Sequence, residues 1–187
     1  MIIKLKRIYL EPIQEKHAIK MNGAINKSYF ELKEWLYWLD KRPTKTDSLE
    51  FCKKTYQDFL DKSSMQFAII NNENNDFIGC IGVNTFNYQN NSEHLEIGYW
   101  INTQYTKKGY MLEALLGLIE YIKRNIQYTN IVITTDTANI SSNKLAINAG
   151  FSLFETKFND IKKPNQEYRD TNVYIYKNKL GSLQIIV

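Results

Sequence analysis

One stretch constrains the chain more than any other: Glu96-Ile97-Gly98-Tyr99-Trp100-Ile101-Asn102-Thr103-Gln104-Tyr105-Thr106-Lys107-Lys108-Gly109-Tyr110-Met111-Leu112-Glu113-Ala114. Residues 95–101 read as a strand, and Met111, Leu115, Leu118 and Ile122 fall on one face of a helix spanning about 107–124. A short polar loop holding Gly109 joins the two. At a helix N-terminus several backbone N–H groups lack partners and the macrodipole is positive, so this geometry can hold a pyrophosphate. Gly109 lets the backbone approach closely, and Lys107 and Lys108 add charge. The same residues also suit an ordinary strand-to-helix turn with a solvated lysine pair.

Around this unit the hydrophobic period changes twice. A first strand runs over 4–10 and ends near Pro12. Helices are predicted at 13–26, at 28–39 (Tyr29, Phe30, Leu32, Trp35, Leu36 and Leu39) and at 47–61, the last capped by Thr46 or Asp47. Strands at 65–70, 77–88 and 95–101, with turns at 71–76 and 89–93, make an antiparallel meander, with glycines at 79 and 82 in its middle strand. After the 107–124 helix come a strand at 129–135, a short helix at 141–149, and strands at 152–160 and 168–177. The order gives one α/β domain over residues 1–187, a mixed, mostly antiparallel sheet with helices on both faces.

Composition narrows the function classes. A length of 187 residues with 43% hydrophobic and 24% charged residues is that of one globular domain. A net charge of +4 suits anionic ligands but is too small and dispersed for nucleic-acid binding. The two cysteines, Cys52 and Cys80, form no CxxC pair, so neither a metal site nor a disulfide framework is expected. No signal-peptide core or membrane span is evident, which points to the cytoplasm, with reduced thiols.

A second stretch, Asn139-Ile140-Ser141-Ser142-Asn143-Lys144-Leu145-Ala146-Ile147-Asn148-Ala149-Gly150-Phe151, is a capped short helix ending in Gly-Phe. Together the two stretches resemble the GNAT superfamily of N-acetyltransferases, in particular the branch that acetylates the N-terminal amine of ribosomal proteins. The opening Leu5-Lys6-Arg7-Ile8-Tyr9-Leu10-Glu11-Pro12 and the closing Arg169-Asp170-Thr171-Asn172-Val173-Tyr174 look like that branch's first and last strands, so the resemblance covers nearly the whole chain. Two positions depart from it: Thr106, where Gln or Arg is usual, and Lys107, where a second glycine is common.

The resemblance implies acetyl-CoA as co-substrate and a primary amine as acceptor. Its pantetheine arm would lie between splayed strands 95–101 and 129–135, bonded to the backbone near Tyr99, Trp100 and Ile101, with an N–H there polarising the thioester carbonyl. The loop Lys107, Lys108, Gly109, Tyr110, Met111 and Leu112 would hold the pyrophosphate, and Asn139 and Ser142 would contact the cofactor. Glu96 is the candidate base, with His94 on the same strand face; a purely structural Glu96 and a surface His94 are the alternatives. The tyrosine some relatives use as general acid is replaced by Ala146. Asp136 and Asp170 are further polar candidates that suit structural roles better, and Tyr29, Trp35 and Trp38 either line the acceptor groove or pack in the core. The expected acceptor is the N-terminal α-amine of a ribosomal protein. A polyamine or aminoglycoside acetyltransferase is the alternative, followed by a non-catalytic acyl-CoA sensor. A homodimer is left open.

Overall fold

The computed structural model describes residues 1–83, 94–126, 128, 130–162 and 167–177. Its strands are β1 (Ile3–Lys4), β2 (Ile8–Pro12), β3 (Met65–Asn71), β4 (Phe77–Val83), β5 (His94–Ile101), β6 (Asn130–Asp136), β7 (Ser152–Lys162) and β8 (Tyr168–Lys177). They form one eight-stranded sheet in the order β1-β2-β3-β4-β5-β6-β8-β7. Every pairing is antiparallel except β5 with β6. The helices are α1 (Ala18–Lys27), α2 (Tyr29–Lys33), α3 (Lys45–Leu60), α4 (Tyr110–Asn125) and α5 (Ile140–Asn148). The expected mixed sheet with helices on both faces is what forms.

Strand alternation divides the core between those faces. Phe67, Ile69, Ile81, Leu95, Ile97, Ile131 and Ile133 point to one side and bury Leu115, Leu118 and Ile122 of α4. Ala68, Ile70, Phe77 and Cys80 point to the other, beneath Met21 and Ile25 of α1, Leu32 of α2 and Cys52 of α3. Gly79 allows β4 and β5 to close up: a Cβ there would stand 2.2 Å from the Trp100 carbonyl oxygen.

Several boundaries differ from the sequence expectation for identifiable reasons. The first strand is a hairpin, because the Leu5 N–H donates to the Ile8 carbonyl at 2.9 Å and turns the chain. The first helix begins at Ala18, after a 3-10 turn over Glu15–His17. The helix expected over 28–39 ends at Lys33, and residues 34–39 continue as turns that bury Leu39 and send Tyr37 toward β6. Thr44 caps α3 in place of Thr46 or Asp47, and Asp47 reciprocates by accepting the Thr44 N–H at 2.8 Å. The turn over 71–76 forms as expected, with Asn75 at φ 57°. Residues 84–93, which include the expected end of the 77–88 strand and its following turn, lie outside the described residues.

Candidate active site

The parallel pair β5 and β6 is joined only at its start, through His94 with Asn130, Leu95 with Ile131 and Glu96 with Val132. Beyond Glu96 the two strands part. β5 continues to Ile101 bonded to β4 alone, and β6 continues to Asp136 bonded to β8 alone, among the described residues. Two extended backbone edges therefore face each other across a widening wedge. Backbone groups along these edges can take an amide-bearing chain between them, as a missing strand would.

Glu96 sits at the vertex of this wedge, half-buried, and its Oε1 accepts the Thr134 hydroxyl at 2.5 Å. Thr134 is a member of the site that strand alternation alone did not single out. His94 is exposed, and its Nδ1 lies 3.3 Å from the Asn130 side-chain nitrogen at the closed end of the wedge. Trp100 turns its indole into the core against Phe77, 5.9 Å away, so only its backbone borders the wedge. Tyr99 points to the opposite face. There its hydroxyl and that of Ser142 lie 2.8 Å apart, and burial pushes the Tyr99 pKa up to about 12.

At the wide end lies the Gly109 loop. Gly109 caps α4 with φ 78°, and Lys107 adopts φ 59°. The left-handed Lys107 explains why glycine suits that position: a residue with a Cβ is strained there. A left-handed Gly109 followed by the right-handed helix curves successive N–H groups to one side, forming a concavity for an anion. The N–H groups of Tyr110, Met111 and Leu112 have no i−4 carbonyl within the helix, whose first such bond runs from Glu113 to Gly109 at 3.1 Å. Met111 is buried, so it too can offer only its backbone. The hydroxyl of Thr106 donates to the Thr103 carbonyl at 2.8 Å and closes the preceding turn. Lys108 places its ammonium 5.4 Å from the Tyr105 ring centroid. Arg7, from the β1–β2 hairpin, reaches this loop, a contact no local sequence signal announces.

Asn139 spends its side-chain oxygen on the Ser142 N–H at 3.1 Å, as a helix cap. A network the sequence did not flag is centred on Asn143. Its Nδ2 donates to the carbonyls of Asn139 and Asp136, at 2.7 and 2.9 Å, and its Oδ1 accepts from Asn172 and Tyr174. The network fixes α5, and with it Ser142, against β6 and β8.

On the α1–α3 side, Asp136 is buried. One of its oxygens accepts the Ala138 N–H at 2.9 Å, and the other is 3.4 Å from the Tyr37 hydroxyl. The Arg169 guanidinium stacks on Tyr37, 4.8 Å from the ring centroid. Tyr29 is core, with its hydroxyl on the Asp40 carbonyl at 2.8 Å, whereas Trp38 is 61% exposed. Asp170 accepts the Asn159 N–H at 2.9 Å within the β7 bulge, a structural arrangement. Among the described residues no cluster of His, Cys, Asp and Glu could hold a metal ion, and no helix is long and apolar enough to cross a membrane.

A wedge between parallel strands, with an N–H concavity at its wide end, defines a class, and comparison with known proteins agrees. Residues 7–152 match the acetyltransferase (GNAT) domain family, and the chain belongs to it. It is an acetyl-CoA-dependent N-acetyltransferase.

Among individual proteins, it is similar to the ribosomal-protein-serine acetyltransferase of Escherichia coli (strain K12), 27% identical over 167 residues that cover 88% of this chain and 89% of the relative. Its fold is similar to that of RimL, a ribosomal L7/L12 α-N-protein acetyltransferase solved in complex with coenzyme A. That likeness has a TM-score of 0.86 at 20% identity and covers 95% of this chain and 98% of the other. It is also similar to the microcin C7 self-immunity acetyltransferase MccE, solved with acetyl-CoA and AMP, at TM-score 0.83 and 21% identity over 92% and 93% of the two chains.

Proposed function

We propose that this enzyme acetylates the N-terminal α-amine of a protein, with a ribosomal protein as the leading acceptor. The reading is supported by similarity to a ribosomal-protein-serine acetyltransferase over 88% of the chain. The observation in the site that carries it is the Glu96–Thr134 pair at the vertex of the wedge. This places a half-buried carboxylate, held by the Thr134 hydroxyl, where it can take a proton from an attacking amine, and an α-amine needs little such help. With a pKa near 8 such an amine is ~10% neutral at pH 7, against ~0.05% for a lysine.

In this reading acetyl-CoA supplies the activated acyl group. The backbone of Tyr99, Trp100 and Ile101 aligns its pantetheine arm, and the concavity formed by Lys107, Lys108, Gly109, Tyr110, Met111 and Leu112 holds its pyrophosphate. Glu96 takes the proton from the attacking amine, directly or through a water. Ser142, whose hydroxyl lies 2.8 Å from that of Tyr99, offers a hydrogen bond to the departing sulfur. Asn139 orients Ser142 by capping α5. The whole chain acts as one catalytic domain, in the cytoplasm, where a ribosomal acceptor is made.

A thiol-release assay with acetyl-CoA against N-terminal peptides, polyamines and aminoglycosides tests the acceptor. Turnover with Ser- or Ala-initiated peptides supports the proposal. Turnover confined to polyamines or aminoglycosides overturns it.

A further inference from the structure

We propose that Arg7 is the positioning residue of the phosphate loop: it locks the loop in its anion-binding shape without belonging to it in sequence. The proposal rests on the assignment of residues 107–112 to the cofactor pyrophosphate.

Arg7 lies in the turn between β1 and β2, yet it meets four residues of the loop and the first turn of α4. Its N–H and Nε donate to the two oxygens of Glu113, each at 2.7 Å. Nη1 donates to the Lys108 carbonyl at 2.9 Å. The guanidinium carbon stands 4.6 Å from the Tyr110 ring centroid, and Nη2 comes within 3.4 Å of where a Cβ on Gly109 would be. Apart from the backbone N–H bond, the planar, forked and permanently charged guanidinium makes all these contacts at once, and an ammonium cannot.

The loop needs an external hold. Two left-handed residues, Lys107 at φ 59° and Gly109 at φ 78°, flank Lys108. Glycine adopts this conformation freely, but a left-handed Lys107 persists only where surrounding contacts over-determine it. Bonding the Lys108 carbonyl to Arg7 fixes the peptide plane whose N–H belongs to Gly109, and so fixes the direction in which that donor points. A second effect is electrostatic. Glu113 stands in the first turn of α4, where its charge would repel a diphosphate, and its ion pair with the Arg7 guanidinium offsets that charge.

The support beneath Arg7 is itself rigid. The Asn72 side chain donates to the carbonyls of Leu5 and Lys6, both at 3.2 Å, and the Asn72 N–H to that of Arg7 at 3.0 Å. Leu5 packs so closely under α4 that a Cβ on Gly117 would come within 2.6 Å of it. The hairpin is therefore a fixed post, and Arg7 is the strut from it to the loop.

The test separates positioning from mere stabilisation by using two acyl donors. S-acetylpantetheine lacks the pyrophosphate, so a residue that shapes the phosphate loop does not affect its use. In Arg7→Gln and Arg7→Lys, the KM for acetyl-CoA and the calorimetric Kd for coenzyme A rise about tenfold or more, while kcat stays within about twofold. The kcat/KM for S-acetylpantetheine is unchanged, and both variants remain folded by thermal melting. Equal loss on both donors, or wild-type coenzyme A affinity in either folded variant, overturns the proposal. Gly109→Val is the control. Lost coenzyme A affinity there with none lost in the Arg7 variants overturns the role of Arg7 alone, whereas unchanged affinity in all three overturns the loop assignment itself.

Discussion

Tyr99 on β5 and Ser142 on α5 hold their hydroxyls 2.8 Å apart across the face of the wedge, and burial raises the Tyr99 pKa to about 12. Under the proposed function this pair, in which either oxygen can be the donor, presents the Ser142 hydroxyl to the cofactor sulfur. Ser142→Ala then lowers kcat about tenfold or more. It also leaves a buried phenol without this partner, at a cost of about 1–3 kcal/mol in stability. Steady-state kinetics and melting of one preparation check both. A folded Ser142→Ala enzyme with wild-type kcat removes Ser142 from the chemistry.

Glu96 answers to a different signature. As the base, Glu96→Gln lowers turnover ~10²-fold at neutral pH and leaves coenzyme A affinity nearly intact. Raising the pH restores part of the rate, because the amine then loses its proton unaided. A lysine-type acceptor suffers more than an α-amine, its neutral fraction at pH 7 being roughly 200 times smaller. A structural Glu96 would show the reverse: a lower melting temperature with activity per folded molecule preserved. The pH–rate profile of the variant distinguishes the two.

The shape of the Gly109 loop was legible in the sequence because its signal is local. A strand, a polar loop with Gly109 and an amphipathic helix are contiguous, and each obeys its own period. The wedge was not readable from residue patterns. Nothing in β5 or β6 says that their pairing stops after Glu96 and Val132, since a strand that splays looks like one that stays paired; only the family resemblance implied it. Thr134, Asn143 and Arg7 escaped notice for the same reason. Their partners stand 38, 29 and 106 residues away, at Glu96, Asn172 and Glu113. The helix expected over 28–39 failed at Glu34 because the Tyr37 contact with Asp136 and the burial of Leu39 outweigh helical spacing.

Gly109 carries the loop's sharpest steric prediction. At φ 78°, any residue with a Cβ is strained by about 1–2 kcal/mol, and the new atom would sit in contact with Arg7 Nη2, 3.4 Å away. Gly109→Val therefore stays folded, with a modestly lower melting temperature, and binds coenzyme A far more weakly. Isothermal calorimetry reads the change, and wild-type affinity would contradict it.

His17 makes stability depend on pH. It is buried, its Nδ1 accepts the Gln14 N–H at 3.1 Å, and its Nε2 lies 3.2 Å from Glu11 Oε2, an arrangement that suits the neutral ring. Burial lowers its pKa below 6.5; Glu11 opposes that shift, while Lys16 and Lys20 reinforce it. Below 6.5 the unfolded chain therefore binds a proton that the folded one refuses. The contribution of the neutral ring is fully present above pH 6.5 and is lost as the pH falls from there toward the lowered native pKa. Urea unfolding at a series of pH values shows this fall, and His17→Gln flattens it in that window. An unchanged slope in the variant would place the titration elsewhere.

The claim on which the rest depends is that the gap between β5 and β6 receives coenzyme A as an added strand. Amide hydrogen exchange with and without coenzyme A tests it directly. Slower exchange concentrated at residues 97–101 of β5 and at 107–112 of the loop, with α1 and α3 unchanged, is the predicted result. Binding that leaves those two segments exchanging at their free rates would contradict it.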